Sequence, residues 1–157
     1  MPPTIHASAV LVGCRAVLIR GPSGSGKSRL ALALLQGART GTGSWALGSW
    51  ALPFARLVAD DRAVVEARNG RLLVRPAPSL AGLIEVRGIG VRQVPCEPVA
   101  VVGLVVDLDA ADAARMPEAA NRTCEIERIS LPRLPVAAGQ DALPLVLSYL
   151  QSADKPA

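Results

Sequence analysis

The segment Gly21–Ser28, with the sequence GPSGSGKS, constrains the fold more than any other part of the chain. It matches the pattern G-x-x-x-x-G-K-[S/T] at every fixed position. An apolar run, AVLIR (residues 16–20), precedes it, and a run of strong helix formers, SRLALALLQ (residues 28–36), follows it. A strand, a glycine-rich loop and a helix in this order are the setting in which such a loop binds phosphate. We therefore predict an α/β fold with this loop at the end of a strand.

The residue types in this loop have separate chemical roles. Glycine allows the backbone to curve so that its N–H groups, at the positive end of the following helix, point at phosphate oxygens. The lysine adds a positive charge for the β- and γ-phosphates, and the last hydroxyl can bind Mg²⁺. We therefore expect ATP and Mg²⁺ as cofactors. The predicted cofactor-binding residues are Gly21, Pro22, Ser23, Gly24, Ser25, Gly26, Lys27 and Ser28.

The remaining pattern predicts antiparallel strands beside the parallel ones. Asn69 and Gly70 separate two apolar runs, residues 63–67 and 72–76, and this dipeptide is a strong signal for a two-residue hairpin. We predict one domain over residues 1–157, with a mixed parallel and antiparallel sheet. Further predicted elements are strands within residues 7–13, 16–20, 83–91 and 98–109, and a helix within residues 140–151.

Composition excludes several classes of partner. The chain carries a net charge of +4, but its basic residues are scattered and only 3% of its residues are aromatic, so we expect no nucleic-acid partner. Its longest apolar run, residues 99–106, is too short to cross a bilayer, and the first residues lack the pattern of a signal peptide. We therefore expect no membrane partner and a cytoplasmic location.

Two stretches could supply the carboxylate that a metal beside this loop requires. Asp107 follows the longer apolar strand. Asp60 and Asp61 follow a shorter one, but they offer one carboxylate for a metal and a second to accept a proton from an attacking hydroxyl. Aspartates at a strand end are also common turn formers. The residues alone leave these three interpretations open.

Taken in order, several stretches resemble the catalytic domain of the bacterial HPr kinase/phosphorylase family. They are residues 5–35, which include the loop, LVADD (residues 57–61) and LIEVRGIGV (residues 83–91). The segment EVRGIGV, Glu85–Val91, is similar to the signature of that family. The resemblance implies a P-loop kinase domain similar to the HPr kinase/phosphoenolpyruvate carboxykinase-like fold, in a short form that consists of the catalytic domain only.

The resemblance also implies an activity. Its members phosphorylate a serine of the phosphocarrier protein HPr with ATP, in a bacterial phosphotransferase-system phosphorelay that regulates carbohydrate and nitrogen metabolism, and some also act as phosphorylases. We therefore expect an HPr-like phosphocarrier protein as substrate and a homo-oligomer, with the hexamer as the common form. Two other hypotheses stay open: a small-molecule P-loop kinase that uses Asp107, and a nucleotide-sensing switch without phosphate transfer.

Carried onto this sequence, the resemblance implies four catalytic residues. Asp60 is similar to the carboxylate that takes the serine proton and faces the γ-phosphate. His6 matches a histidine near that carboxylate, and Arg115 matches an arginine that helps with the transferred phosphate. Asp61 completes the set, turned towards the metal.

The resemblance implies three residues around the metal. Ser28 is similar to the direct hydroxyl ligand. Asp61 and Glu85 are similar to residues that support the metal region. In this interpretation Asp60 and Asp61 point in different directions, because neighbouring residues that leave a strand alternate.

An insertion separates the predicted helix from residues 56–61. It contains the pentapeptide GSWAL twice in tandem, at residues 43–47 and 48–52, and it holds both tryptophans of the chain. A long stretch rich in glycine and serine inside a compact domain is functional or disordered. We predict that residues 39–55 form a mobile insertion loop.

Shortening residues 41–53 to a tight turn should leave the free energy of unfolding and the rate of transfer to HPr nearly unchanged. The physical reason is that loop-closure entropy grows slowly, by about 0.6 kcal/mol for each doubling of loop length. Urea denaturation and a transfer assay measure the two quantities. A large loss of transfer with ATP binding intact would show instead that this segment docks the protein substrate.

Overall fold

The structure, a computed structural model, describes residues 2–39, 44–45, 48–49 and 54–152. Within these residues the chain forms twelve strands, two α-helices and two short 3₁₀ segments, Pro78–Leu80 and Ala119–Arg122. The strands are β1 (Thr4–Val12), β2 (Arg15–Arg20), β3 (Ser44–Trp45), β4 (Gly48–Ser49), β5 (Ala55–Ala59), β6 (Arg62–Arg68), β7 (Arg71–Pro76), β8 (Leu83–Val86), β9 (Gly90–Gln93), β10 (Ala100–Asp107), β11 (Thr123–Ile126) and β12 (Ile129–Pro135). The helices are α1 (Lys27–Arg39) and α2 (Ala142–Gln151).

The main sheet has eight strands and mixes parallel with antiparallel pairs. Its pairings form a closed circuit: β1 with β2, β2 with β10, β10 with β7, β7 with β6, and β6 with β1. The pairs of β10 with β2 and with β12 are parallel, and the others in the circuit are antiparallel. β5 joins β1, and β11 joins β12. The predicted mixed sheet is therefore confirmed.

The sheet divides the core into two clusters, and a register shift between Val102 and Leu104 interrupts the alternation on β10. On β10, Leu104 and Val106 pack in the cluster that contains α1 and α2, whereas Val102 and Val105 pack in the cluster on the other face. We call these two sides the helix face and the inner face. Both are built from aliphatic side chains, as the low aromatic content requires.

Three predicted elements are found where the sequence placed them. The hairpin between β6 and β7 turns at Asn69 and Gly70, both with positive φ (50° and 75°), as the tight hairpin turn demands. α1 begins within the glycine-rich segment, at Lys27. α2 begins after Asp141, whose side chain caps the helix by accepting a hydrogen bond from the Leu143 backbone N–H at 3.1 Å.

One predicted strand is wrong. Residues 83–91 do not form a continuous strand, because Gly88 and Gly90 take positive φ (96° and 89°) and turn the chain back. β8 and β9 pair with each other as a separate two-stranded hairpin. The sequence analysis did not predict β11 and β12.

The predicted mobile insertion lies mostly outside the described residues. Of it, the structure describes β3 and β4, which pair antiparallel, and residues 39, 54 and 55. The mobility of this segment therefore stays a prediction. No helix in the part of the chain that the structure describes is long and apolar enough to span a membrane.

A network of ion pairs closes the inner face at the end of β10. Asp107 accepts hydrogen bonds from Arg20 at 2.7 and 2.8 Å and from Arg133, and Arg133 also binds Asp112 at 2.7 and 3.0 Å. Burial alone would raise the pKa of Asp107, but the hydrogen bonds from the two arginines outweigh it and hold the pKa below its usual value. The carboxylate therefore stabilises the fold above its unfolded pKa, and this contribution is lost as the pH falls through the lower folded pKa.

Arg133→Met should lower the free energy of unfolding at pH 7 by about 2 to 4 kcal/mol, because it leaves a mostly buried carboxylate with one partner fewer. Urea denaturation measures this. The difference from the wild type should shrink as the pH falls below the pKa of an unfolded aspartate, about 3.9, and through the lower folded pKa of Asp107. Arg71→Met is the matched control: Arg71 is exposed on a strand and makes no ion pair with any described residue, so a change above about 0.5 kcal/mol there would undercut the comparison.

Candidate phosphate-binding site

The glycine-rich loop connects β2 to α1 and has the backbone that glycine permits. Gly24 and Gly26 take positive φ of 81° and 100°, which side chains rarely adopt. A Cβ at Gly21 would lie 2.5 Å from Ser25 Oγ and 3.0 Å from Leu108 Cβ, so a side chain there has no space. The predicted phosphate-binding loop is therefore formed as a tight curve.

Lys27 lies inside this curve. Its side chain is buried, and Nζ donates hydrogen bonds to the backbone oxygens of Gly21 at 2.9 Å and Pro22 at 3.0 Å. Ser25 Oγ is also buried and makes no hydrogen bond with any residue the structure describes. A fixed ammonium group at the N-terminus of a helix, within a ring of backbone N–H groups, is suited to bind an anion such as phosphate.

Asp60 is buried, with 6% of its surface exposed, and it accepts hydrogen bonds from three elements. Ser28 Oγ at the start of α1 donates to Asp60 Oδ1 at 2.6 Å. Ser8 Oγ on β1 donates to the same oxygen at 2.8 Å, and the Glu85 backbone N–H on β8 donates to Oδ2 at 3.1 Å. A buried carboxylate requires such partners, and together they fix its orientation towards the loop.

Asp61 has the opposite environment. It takes a positive φ of 66° in the tight turn between β5 and β6, and its side chain is 58% exposed. His6 Nε2 lies 3.1 Å from Asp61 Oδ1. Two hydrogen bonds hold the turn against β1. The Ala7 N–H donates to the backbone oxygen of Asp61 at 3.1 Å, and the Asp61 backbone N–H donates to Ser8 Oγ at 3.3 Å.

A cavity of about 380 Å³ brings most of the predicted site together. We call it the transfer cavity. It is lined by part of the glycine-rich loop and by polar or charged residues from β1, β8, the turn after β8 and the β5–β6 turn. The lining residues that matter here are His6, Lys27, Ser28, Asp61, Glu85 and Arg87.

The sequence analysis expected Asp60 to face the transferred phosphate and Asp61 to face the side of the metal and Glu85, and these roles stay predictions. In the structure, Asp60 accepts hydrogen bonds from Ser28 and from the Glu85 backbone N–H. Asp61 lies beside His6 in the transfer cavity, which Glu85 also lines. The positive φ of Asp61 turns the second carboxylate out of the sheet.

Arg115 is not among the described residues that line the transfer cavity. It is exposed in the stretch between β10 and the 3₁₀ segment Ala119–Arg122, so the structure gives its predicted catalytic role no geometric support. Ser8, by contrast, belongs to the site but was not among the predicted site residues. The signal was available, since Ser8 is the one hydroxyl in the apolar run ASAVLV, and a buried hydroxyl needs a partner.

Asp107 is not placed to serve this loop. Its carboxylate lies with Val105 on the inner face, and Arg20 and Arg133 occupy both of its oxygens. The hypothesis of a small-molecule kinase that uses Asp107 therefore has no support in the geometry.

The residues present fit a magnesium ion that is bound mainly through phosphate. No group of three or more His, Cys, Asp or Glu side chains that could hold a metal is found within the described residues. Mg²⁺ needs no such group, because it takes one or two carboxylates and completes its shell with water and substrate phosphates. The Ser28 hydroxyl and the Asp60 carboxylate, 2.6 Å apart at the end of the loop, offer a donor set of this kind.

No family model matches the chain. In sequence, it is 38% identical over 92 residues to the HPr kinase/phosphorylase of Limosilactobacillus reuteri (strain DSM 20016), a match that covers 58% of this chain and 24% of that protein. It is 37% identical over 92 residues to the HPr kinase/phosphorylase of Streptococcus thermophilus (strain CNRZ 1066), with 58% and 25% covered. The resemblance predicted from the sequence is confirmed. The match spans about a quarter of the length of these relatives.

A solved structure extends the likeness to nearly the whole chain. The HPr(Ser) kinase/phosphatase of Coxiella burnetii superposes with a TM-score of 0.71 at 24% identity, and the match covers 95% of this chain and 94% of that one. The chain therefore has the HPr kinase fold, and the predicted fold class is confirmed.

Proposed function

We propose that this chain is an ATP-dependent serine kinase of the HPr kinase type, which acts on an HPr-like phosphocarrier protein. One observation carries the proposal. An exposed carboxylate, Asp61, lines the same cavity as the phosphate-binding loop, and a second carboxylate, Asp60, accepts a hydrogen bond from Ser28 of that loop. Transfer to an alcohol needs both kinds of carboxylate. The likeness to HPr kinase/phosphorylases supports this choice of substrate.

In this proposal the loop Gly21–Ser28 binds the phosphates of ATP. Lys27 is already desolvated, and it can exchange its two backbone acceptors for phosphate oxygens without a large movement. Its charge then lies where negative charge develops on the transferred group.

Ser28 and Asp60 would hold Mg²⁺, which would neutralise charge on the β- and γ-phosphates. Asp60 acts here through its position, since Ser8 and the Glu85 backbone fix the oxygens that face Ser28. Glu85 lines the transfer cavity and would support the hydrated ion. Asp61, which the resemblance placed beside the metal, has a different role.

Asp61 accepts the proton of the substrate serine. As the serine oxygen forms its bond to the γ-phosphorus, the bond between that phosphorus and the oxygen bridging to ADP breaks, and the hydroxyl proton moves to Asp61. His6, 3.1 Å away, orients the carboxylate. In phosphorolysis, inorganic phosphate would take the phosphoryl group from phosphoserine and form pyrophosphate as the bond to the serine oxygen breaks. Asp61 would pass the proton of the attacking phosphate to that serine oxygen.

Two further parts of the proposal rest on the resemblance alone. They are the role of Arg115 beside the transferred phosphate and the assembly of the chain into a homo-oligomer, such as a hexamer. An arginine contributed by a neighbouring copy would reach a site that Arg115 does not reach within one chain.

Asp61→Asn should lower the rate of phosphate transfer to HPr by about 10² to 10⁴, because the amide keeps the shape but cannot take the proton. The affinity for ATP should stay within about threefold of the wild type. Radiolabelled ATP with Mg²⁺ and purified HPr measures transfer, and equilibrium binding of labelled ATP measures affinity.

Glu125→Gln is a matched control and should transfer at the wild-type rate, because Glu125 is exposed on β11 and does not line the transfer cavity. Transfer by Asp61→Asn at the wild-type rate would remove Asp61 from the reaction. If the wild type binds ATP but never labels HPr, the chain is a nucleotide-sensing switch instead.

A further inference from the structure

A second cavity, of about 700 Å³, adjoins the phosphate-binding loop. Gly24, Gly26 and Arg29 line both this cavity and the transfer cavity, so the two cavities adjoin at the loop. Its volume is in the range of small-molecule sites, about 300 to 1,000 Å³. A ligand held by the loop can therefore extend into it.

The lining of this second cavity mixes aliphatic and polar groups, with the polar share slightly larger. Leu30 of α1, Leu108 just after β10 and Val136 just after β12 contribute aliphatic groups. Asp109 and Gln140 add polar groups, and no aromatic side chain is among the lining residues within the described part of the chain. Such a surface suits a ligand that has both a flat apolar part and hydroxyl groups.

Asp109 is the carboxylate of this cavity that has no partner. It is exposed and makes no hydrogen bond or ion pair with any residue that the structure describes. Asp141, which also lines the cavity, already caps α2. Asp109 takes a positive φ of 52°, a conformation that few side chains other than those of Asp and Asn tolerate.

Backbone hydrogen bonds fix Asp109 beside the loop. On one side, the Leu108 N–H donates to the oxygen of Arg20, the residue before the loop, at 2.8 Å. On the other, the Ala110 N–H donates to the Val136 oxygen at 2.9 Å. The backbone that carries this carboxylate is thus held between the loop and the wall of the cavity.

We propose that this cavity binds the nucleoside of the nucleotide and that Asp109 accepts hydrogen bonds from the ribose hydroxyls. The inference rests on the proposed function, because it places the rest of the molecule whose phosphates bind at Gly21–Ser28. The ribose is joined to the α-phosphate, so it is the part that a group beside the loop meets first. A carboxylate has two acceptor oxygens and suits two neighbouring hydroxyls.

The test separates the ribose from the phosphates. Dissociation constants with Mg²⁺ are measured for ATP, for 2′,3′-dideoxyATP and for inorganic tripolyphosphate. The wild type should bind ATP at least about tenfold more tightly than the dideoxy analogue, since a hydrogen bond to a charged acceptor has about that effect. Asp109→Asn should reduce this preference to within about threefold while its affinity for tripolyphosphate stays unchanged.

Asn tolerates the same backbone conformation, so Asp109→Asn should fold. Glu127→Gln is the matched control, because Glu127 also has a positive φ (49°) but does not line the cavity. Equal binding of ATP and its dideoxy analogue by the wild type would overturn the inference, as would an equal loss of ATP and tripolyphosphate affinity in Asp109→Asn. If the wild type fails to bind tripolyphosphate, the proposed function falls, and the inference falls with it.

Discussion

The site is organised by the hydrogen bonds that converge on the Asp60 carboxylate. Its two oxygens accept from Ser8 on β1, Ser28 on α1 and the Glu85 backbone on β8, which are distant in sequence. Ser8 and Asp60 are almost wholly buried, so losing any one of these partners would leave a desolvated polar group without compensation. The glycine-rich loop, the β8–β9 hairpin and the start of the sheet are therefore tied to a single carboxylate.

A bulge between β1 and β5 produces this arrangement. The pairing register shifts at Ala9 and Val10, so Val58 is the extra residue of β5. Leu57 packs on the helix face, whereas Val58 and Ala59 both pack on the inner face, and Asp60 returns to the helix side to meet Ser28. Bulges near active sites often re-aim a side chain in this way.

The sequence predicted the parts of the molecule that local patterns encode. The GPSGSGKS segment, the strand before it and the helix after it are specified by glycine positions and helix propensity, and Asn69–Gly70 specifies its hairpin. The exact orientation of the Asp60 and Asp61 side chains could not be predicted. Strict alternation assumes an unbroken strand, whereas β5 contains a bulge whose position depends on its pairing with β1. Gly88 and Gly90 did carry a local signal for the β8–β9 turn, which the apolar pattern of residues 83–91 concealed.

On β10, alternation holds only from Leu104 to Asp107, after a register shift between Val102 and Leu104. Leu104 and Val106 face the helices, so Asp107 must face inwards, where Arg20 and Arg133 bind it. The longer apolar strand thus ends in an ion pair that holds the sheet together. The shorter strand ends in the carboxylates for which we propose a function. A long apolar strand before an aspartate is therefore a weaker guide to a metal site than the face on which that aspartate lies.

The central claim is that Asp60 belongs to the metal side of the site and Asp61 does not. The measurement that tests it most directly is the Mg²⁺ concentration at which binding of a fluorescent ATP analogue is half-maximal, in Asp60→Asn and in Asp61→Asn, each first shown to be folded by circular dichroism. Asp60→Asn should raise this concentration by about 10- to 100-fold, as removal of a group that orients a metal ligand does, and Asp61→Asn should leave it within about twofold. A shift in Asp61→Asn with none in Asp60→Asn would contradict the account.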